Sequence, residues 1–314
     1  MAGVRTAALL VTHPVLLGPS AVRELAERLD LRPTKRWGQN FVVDANTVRR
    51  IVRLARVSSG DVVLEVGPGL GSLTLALLEA EARVVAVEID SLLAAALPKT
   101  VAEHAPDQQQ HAVVVNADAL QLSAASEVDA APGTASLQVT GAAWAIAPRV
   151  FVANLPYNVA VPVLLHLLSE FDSLDRGLVM VQWEVAERLA APPGSRTYGI
   201  PSVKAAWYAD VTQQGRVPRS VFWPVPNVDS GLVAFRRRPA PNTAASRAEV
   251  FACVDAAFAQ RRKSLRRALA RWAGGTDAAD AALRAAGVDP GLRGERLTVA
   301  QFAAIAEHRP TART

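Results

Sequence analysis

Cysteine is almost absent from the chain: Cys253 is the single one among 314 residues. One cysteine cannot form an intramolecular disulfide or a cysteine-based zinc site, so a reducing, cytoplasmic setting fits best. Histidine is scarce too, and its five positions show no metal-ligand spacing. His166 falls in an apolar helical pattern and is interpreted as a core residue. We expect no metal site.

Long apolar runs are also lacking. No continuous apolar stretch approaches the ~20 residues that cross a bilayer. The N-terminal stretch AALLVTHPVLLG is short, is broken by His13 and Pro14, and has no clear cleavage site. The sequence therefore predicts a soluble protein with no membrane partner.

Positive charge is present but unevenly placed. The net charge is +5, yet residues 215–275 hold 12 arginines or lysines against three acids, a local net charge of +9. Such asymmetry indicates a polyanionic partner for the C-terminal part, and a solvated charged face is the alternative. The candidate RNA-binding residues in this region are Arg236, Arg237, Arg261, Arg262, Lys263 and Arg266.

Short β-rich runs alternate with helical patterns over most of the chain. The predicted strands are 61–66, 84–89, 112–115, 150–153 and 178–182, and the predicted helices are 70–80, 91–104, 160–170 and 183–190. This alternation predicts an α/β fold with a parallel sheet covered by helices. Two further strands, 208–217 and 231–237, are joined by a proline-rich loop too short for a crossover helix, so we expect this pair to be antiparallel.

The C-terminal part has a different character, because only helical patterns follow residue 242. Helices are predicted at 246–273, 277–286 and 298–308. We therefore predict two domains, 1–242 and 243–314. The first begins with a helical extension, 1–45, which contains an amphipathic helix at 20–30. Residues 123–149 are rich in Ala, Ser, Thr and Gly and are interpreted as an insertion in a surface loop.

A glycine-rich turn follows the first strand of the predicted sheet in VLEVGPGLG, residues 63–71. Gly67 and Gly69 permit a tight turn and a close backbone approach to a ligand. Glu88 ends the next strand, where a carboxylate can accept both hydrogens of a ribose diol. Asp118 follows the third strand and can receive the exocyclic amine of an adenine. The alternative is that the two acids cap helices.

The pattern fits a mononucleoside pocket better than a dinucleotide pocket. Ser72 stands where the dinucleotide fingerprint requires its last glycine. S-adenosylmethionine fits, because its cationic sulfonium needs no phosphate cradle. The cofactor prediction is therefore S-adenosylmethionine.

The stretch ANLPYN, residues 153–158, leaves the fourth predicted strand at its carboxyl end, where ligands bind in open α/β sheets. The side-chain oxygen of Asn154 and the carbonyl of Leu155 or Pro156 could each accept one hydrogen of an aryl amine. Tyr157 could stack on the ring. The predicted catalytic task is methylation of a weakly nucleophilic amino group, promoted by positioning.

These motifs, taken together, resemble the ribosomal RNA adenine N6,N6-dimethyltransferases of the small-subunit type. The resemblance spans residue 35 to about 306. It rests on KRWGQNFVVD (35–44), NLPY (154–157), VQWEVAERLAAPPGSRTYGIPSV (181–203), VPRSVFWPVPNVDSG (217–231), FAQRRKSLRRAL (258–269) and GERLTVAQFAAIA (294–306).

The resemblance implies a Rossmann-like, S-adenosylmethionine-dependent methyltransferase with a mostly parallel seven-stranded sheet, its last strand antiparallel, and a small all-α C-terminal domain. It implies donor contacts from Asn40, Val42, Gly67, Glu88, Asp118 and Asn154. It also implies that Phe222 closes on a flipped adenine opposite Tyr157, whereas burial of aromatics in general favours core packing for Phe222. The implied substrate is two adjacent adenosines near the 3′ end of small-subunit rRNA in an immature 30S subunit. We expect a monomer.

The match has departures, and other functions remain open. Trp37, Val42 and Trp183 replace more usual residues, and Ile200-Pro201 interrupts a segment that is normally more continuous. The alternatives are a large-subunit rRNA dimethyltransferase of the macrolide-resistance type, a catalytically silent RNA-binding assembly or transcription factor, and an NAD-dependent oxidoreductase. The missing fingerprint glycine disfavours the last.

Overall fold

The fold is described from a computed structural model, which describes residues 13–31, 39–124, 135–136 and 147–310. The predicted insertion at 123–149 therefore lies largely outside the described residues, as does part of the predicted extension 1–45.

Strands alternate with helices from residue 41 to residue 189, except between residues 112 and 154, where the described residues form strands and one short 3-10 turn. The strands are β1 (Phe41–Val42), β2 (Val62–Val66), β3 (Arg83–Glu88), β4 (Ala112–Asn116), β5 (Leu122–Ser123), β6 (Ala135–Ser136), β7 (Val150–Asn154), β8 (Arg176–Gln182), β9 (Ala209–Val217), β10 (Phe222–Trp223) and β11 (Ser230–Arg237). The helices are α1 (Pro19–Arg28), α2 (Ala45–Leu54), α3 (Ser72–Glu79), α4 (Ser91–His104), α5 (Ala160–Glu170), α6 (Trp183–Leu189), α7 (Ile200–Tyr208), α8 (Arg247–Ala259), α9 (Leu265–Ala268), α10 (Ala270–Ala273), α11 (Thr276–Ala285) and α12 (Val299–Glu307).

Seven strands form the main sheet in the order β4-β3-β2-β7-β8-β11-β9. The pairs β2–β3, β3–β4, β2–β7 and β7–β8 are parallel. The predicted fold class, a mostly parallel seven-stranded sheet with its last strand antiparallel and a helical C-terminal region, is confirmed. Strand order reverses beside β2, so the carboxyl ends of β2, β3 and β7 meet at a crevice that can take a ligand.

The central strands are buried on both faces, as expected for a parallel sheet covered by helices. All five residues of β2 are buried, and so are Val84 to Glu88 of β3. Most of these residues are Val, Leu or Ala, which fill the core without polar atoms. The acids Glu65 and Glu88 are exceptions, and both line the cavity described below.

The chain divides into two compact units, which are described separately. The first comprises residues 1–180 and 217–230, and the second comprises residues 181–216 and 231–314. The predicted domain boundary near residue 242 stays a prediction. In the second unit, Cys253 is fully buried on α8, and burial raises the pKa of its thiol to about 12. Cys253 is therefore an unreactive core residue.

The single helix predicted at 246–273 is wrong: three helices, α8, α9 and α10, occupy these residues. The chain leaves α8 at Ala259 and re-enters a helix at Leu265, whose N–H donates to the carbonyl of Leu292 at 2.7 Å. The Arg/Lys-rich segment between them lies in a turn. The apolar spacing on either side is helical, so the sequence pattern did not reveal the interruption.

The Ile200-Pro201 pair, which the sequence analysis treated as an interruption, begins helix α7. Proline is favoured in the first turn of a helix, where its missing N–H needs no partner. The structure thus adds α7, and also α2, to the helices predicted from the sequence.

A small two-stranded sheet pairs β1 with β10 in the first unit. Phe41 lies opposite Trp223 and Val42 lies opposite Phe222. The Phe41 and Trp223 rings are stacked with centroids 6.2 Å apart. The pairing with β10 fixes the position of residues 39–43. We call these residues the N-terminal strap.

Over the described ranges, every helix is too short or too polar to cross a bilayer.

Candidate active site

A cavity of about 450 Å³ lies in the first unit at the carboxyl ends of β2, β3 and β7. The strap, the glycine turn and the segments that follow β3, β4 and β7 line it. Ten residues singled out from the sequence are among the lining: Asn40, Val42, Gly67, Gly69, Glu88, Asp118, Asn154, Leu155, Pro156 and Tyr157. The structure therefore brings the predicted donor residues and the NLPY tetrapeptide to one cavity.

The glycine turn uses backbone conformations that favour glycine. Gly67 and Gly69 have φ angles of 69° and 58°. A Cβ atom on Gly69 would lie 2.8 Å from the Phe41 ring, which is closer than real Cβ contacts allow. The turn is thus pressed against the strap, and a side chain at Gly69 would separate them.

Glu88 is held at the cavity by two backbone donors. Its Oε2 accepts from the N–H of Gly69 at 3.1 Å, and its Oε1 accepts from the N–H of Asp90 at 3.0 Å. Burial raises the pKa of Glu88 above its usual value, against the effect of these two bonds. The N-cap of α4 is Asp90, which accepts from the N–H of Leu92. The helix-capping alternative therefore does not describe Glu88.

Asp118 lines the same cavity and also caps a 3-10 turn. Its Oδ1 accepts from the N–H of Leu120 at 2.9 Å, at the start of the turn Ala119–Gln121. The capping alternative raised from the sequence thus describes Asp118. A cap at the cavity wall also fixes the direction of the carboxylate.

Asn154 ends β7 and is tied to the strap across 114 residues of sequence. Its Nδ2 donates to the carbonyl oxygen of Asn40 at 3.0 Å. This bond sets the orientation of the amide, so that Oδ1 is left as the acceptor atom of the side chain. The next residue, Leu155, is buried, and its N–H donates to the carbonyl of Met180 at 3.1 Å.

Tyr157 is half-buried and its hydroxyl has a buried partner. Its Oη lies 2.8 Å from Oγ of Ser230, which is fully buried. Burial raises the pKa of the Tyr157 phenol, so it stays neutral at physiological pH. Sequence reasoning did not assign Ser230 a role, although it is the serine of the F-x-P-x-P-x-V-x-S element.

Phe222 is only 2% exposed and is not among the residues that line the cavity. It lies opposite Val42 in the β1–β10 pair. This placement agrees with the core-packing interpretation. The role of Phe222 in closing on a flipped base stays a prediction.

Three side-chain contacts anchor the strap over the cavity. Besides Asn154, the hydroxyl of Ser72 donates to the carbonyl of Val42 at 2.7 Å, and Gln39 donates to Oδ2 of Asp90 at 3.0 Å. Ser72 replaces a fingerprint glycine, and its hydroxyl bond to the strap is a physical reason for a serine there. Sequence reasoning missed these uses of Gln39 and Ser72.

The cavity is acidic. Glu65, Glu88 and Asp118 line it, and its lining includes no Lys, Arg or His among the described residues. Such a wall suits a ligand with net positive charge and disfavours the pyrophosphate of NAD. S-adenosylmethionine carries an ammonium, a sulfonium and a carboxylate, so the residues present fit it. Within the described ranges there is no group of three or more His, Cys, Asp or Glu that could hold a metal ion.

Four of the six predicted RNA-binding residues in the second unit can be divided into two that form ion pairs and two that do not. Arg261 pairs with Glu295 at 2.8 Å, and Arg266 pairs with Asp277 at 3.0 Å. Arg262 and Lys263 are exposed on the turn after α8, and their side chains make no hydrogen bond or ion pair with the described residues. On β11, Arg236 is exposed and Arg237 is half-buried.

Solved structures of similar fold include RNA methyltransferases. The 23S rRNA methyltransferase ErmE is 26% identical, with a TM-score of 0.58 over 86% of this chain and 99% of that one. A dimethyladenosine transferase from Plasmodium falciparum is 21% identical, with a TM-score of 0.65 over 84% of this chain and 95% of that one. The second likeness shows the fold alone.

Curated relatives are much more similar in sequence. "Ribosomal RNA small subunit methyltransferase A" of Kineococcus radiotolerans is 65% identical over 94% of this chain and 92% of the relative. The protein of the same name in Thermobifida fusca is 63% identical over 94% of this chain and 96% of the relative. The family model described as "Ribosomal RNA adenine dimethylase" matches residues 31–309. The chain therefore belongs to the ribosomal RNA adenine dimethylase family and is a methyltransferase that takes its methyl group from S-adenosylmethionine.

Proposed function

We propose that the enzyme places two methyl groups on N6 of each of two adjacent adenosines near the 3′ end of small-subunit rRNA. It acts as a monomer, in the cytoplasm, on the immature 30S subunit. The observation that carries the proposal is the Asn154 amide, which is tied to the strap and lies at the wall of the acidic cavity. The printed names of the relatives, at more than 60% identity, support the small subunit as the source of the rRNA.

The tetrapeptide supplies acceptors for the target amine. The N6 lone pair of adenine is delocalised into the ring, so the amine must be turned before it can attack a methyl group. Oδ1 of Asn154 accepts one N6 hydrogen. One lone pair of the Pro156 carbonyl is engaged by the N–H of Val159 at 3.2 Å, so we propose the carbonyl of Leu155 as the second acceptor. Holding a reactant in line in this way can lower a barrier by as much as about 7–11 kcal/mol.

The transfer needs no strong base. S-adenosylmethionine supplies an electrophilic methyl group when bound. As N6 gains the methyl carbon, the amine becomes acidic and loses one proton to solvent. Tyr157 acts through its ring face, since its phenol stays protonated. Stacking on that face offsets part of the cost of taking the adenine out of its helix.

The basic residues of the second unit contact rRNA phosphates in this proposal. Arg262 and Lys263 are exposed and have no acidic partner among the described residues. Each phosphate contact releases condensed counterions, so affinity for RNA should fall steeply with salt.

The decisive experiment maps N6,N6-dimethyladenosine in rRNA from cells with and without this protein. Loss of the modification from the small-subunit 3′ region supports the proposal. A companion assay offers the purified enzyme either immature small subunits or naked large-subunit rRNA. Methylation of the large-subunit RNA alone, or of neither substrate, would overturn the assignment of the immature small subunit as the substrate.

A further inference from the structure

Glu65 is a buried carboxyl group with no part in the methyl transfer described above. It is the fourth of the five residues of β2, is 1% exposed, and lines the cavity. Its Oε2 accepts from the hydroxyl of Thr74 on α3 at 2.7 Å. No described group hydrogen-bonds to Oε1. One oxygen of this carboxyl group is therefore left without a donor among the described residues, at the wall of an acidic cavity.

Glu65 and Glu88 share one face of the sheet. Glu65 pairs with Ala86 on β3, and Ala86 and Glu88 are two residues apart, so their side chains point to the same side. Both carboxyl groups are nearly inaccessible to bulk water. The negative charge of Glu88 disfavours ionisation of Glu65, and two buried carboxyl groups on one face of neighbouring strands resist double ionisation unless a positive charge joins them.

The protein supplies no such positive charge from the described lining, which lacks Lys, Arg and His. The groups that act on Glu65 are Glu88 from β3 and the Thr74 hydroxyl from α3, and Asp118 and Tyr157 line the same cavity. S-adenosylmethionine, with a net charge of +1, does supply a positive charge. The product S-adenosylhomocysteine has lost the sulfonium and is neutral overall.

We propose that the carboxyl group of Glu65 holds a proton while the cavity is empty and releases it to solvent when S-adenosylmethionine binds. The released proton leaves a carboxylate that balances the charge of the donor. Glu65 is thus a positioning residue that distinguishes the charged donor from the neutral product. The inference concerns donor binding and does not depend on which RNA is methylated.

The titration of Glu65 supports this arrangement. Burial first, and then the charge of Glu88, raise the pKa of Glu65 to about 8, although the Thr74 hydrogen bond acts in the opposite direction. Donor binding lowers that pKa. Affinity for the donor therefore rises as pH increases towards about 8 and is level above it. Below that pH, as long as donor binding releases one whole proton, the Kd rises about tenfold for each unit by which the pH falls.

The test is calorimetry of donor binding to the whole enzyme near neutral pH, in two buffers of different ionisation enthalpy. The difference between the two heats gives the number of protons released. We expect close to one proton for the wild type and clearly fewer for Glu65→Gln, which mimics the protonated side chain in size and charge. S-adenosylhomocysteine should release fewer protons than the donor.

Thr74→Val is the second variant, because it removes the hydrogen bond without touching the cavity lining and preserves side-chain shape. Loss of that bond raises the pKa of Glu65 further, so the pH at which the Kd levels off should move upward. Equal proton release by the wild type and Glu65→Gln would overturn the proposal. So would equal release with donor and product, or an unmoved pH profile in a folded Thr74→Val enzyme.

Discussion

The side-chain amide of Asn154 donates a hydrogen bond to the main-chain carbonyl of Asn40, 3.0 Å away. Asn40 belongs to the strap that lines the donor cavity, and Asn154 begins the tetrapeptide that is proposed to hold the target amine. A change at Asn154 should therefore disturb the alignment of donor and acceptor together.

Asn154→Ala should lower kcat by about 100-fold or more, because it removes an acceptor that positions N6. RNA affinity should change little. Asn154→Asp keeps an acceptor oxygen but has no N–H for the Asn40 carbonyl, and we expect a similar loss. Single-turnover methylation and RNA titration measure the two quantities. Equal losses of turnover and of RNA affinity would contradict the assigned role.

Tyr157 is expected to act through its ring, and its hydroxyl serves to orient that ring. Tyr157→Phe should retain most activity, whereas Tyr157→Ala should lose most of it. Because the phenol is neutral over the working range, Tyr157→Phe should leave the pH profile of kcat unchanged.

Ser230→Ala leaves the Tyr157 hydroxyl without its buried partner, and should cost about 1 kcal/mol in the free energy of unfolding. A double-mutant cycle with Tyr157→Phe, followed by denaturant unfolding, gives the coupling energy. The Ser230→Ala cost should largely vanish in the Tyr157→Phe background. Additive costs would show that the 2.8 Å contact contributes nothing to stability.

Glu88→Ala should raise the donor Kd by about ten- to a hundredfold, the range expected for losing charge-assisted hydrogen bonds to a ligand. Glu24→Gln, on the exposed face of α1, is the matched control and should leave the Kd unchanged. Calorimetry with S-adenosylmethionine measures both. An unchanged Kd in Glu88→Ala would exclude Glu88 from the donor site.

Gly69 and Gly60 both have positive φ angles, 58° and 80°, but different surroundings. Alanine at Gly60 would meet open space, so it should cost only the backbone strain, about 1–2 kcal/mol. Alanine at Gly69 would meet the Phe41 ring as well, and overpacking of this kind adds about 1–3 kcal/mol. Only Gly69→Ala should also weaken donor binding. Thermal unfolding and donor titration of the two variants separate strain from steric conflict.

The paired and unpaired arginines of the second unit should differ in their effect on RNA binding. Replacing Arg262 and Lys263 together with Ala should reduce the slope of log K against log salt by about 1.5–2, since two phosphate contacts are lost. Arg284, which pairs with Asp280 at 2.7 Å, is the control, and its replacement should change the slope less. An identical slope in the double variant would indicate a solvated charged face.

The sequence was informative where local pattern decides structure. The runs DVVLEV and VVAVEI could be assigned as buried parallel strands because they are continuous, short and β-branched. The acids and glycines at their ends could then be placed at one edge of the sheet by the crevice rule. The interruption after Ala259 escaped notice, because the apolar spacing on both sides of the basic turn is helical.

Contacts between residues that are far apart in the sequence could not be predicted from local sequence patterns. Tyr157 and Ser230 are 73 residues apart, and Asn40 and Asn154 are 114 apart. Such pairs depend on the folded path of the chain. The pairing of Phe222 is of the same kind: core packing could be inferred for this residue, but the sequence did not reveal that it would lie opposite Val42 on a short strand.

The acidic lining of the cavity has a consequence for selectivity inside a living cell. ATP shares its adenosine with the methyl donor and is far more abundant. Its polyphosphate would meet Glu88 and Asp118 with no basic side chain from the described lining to receive it. Like charges in a water-poor site repel strongly, so the cell's main energy carrier should be a poor competitor, and the enzyme can work without a separate device to exclude it.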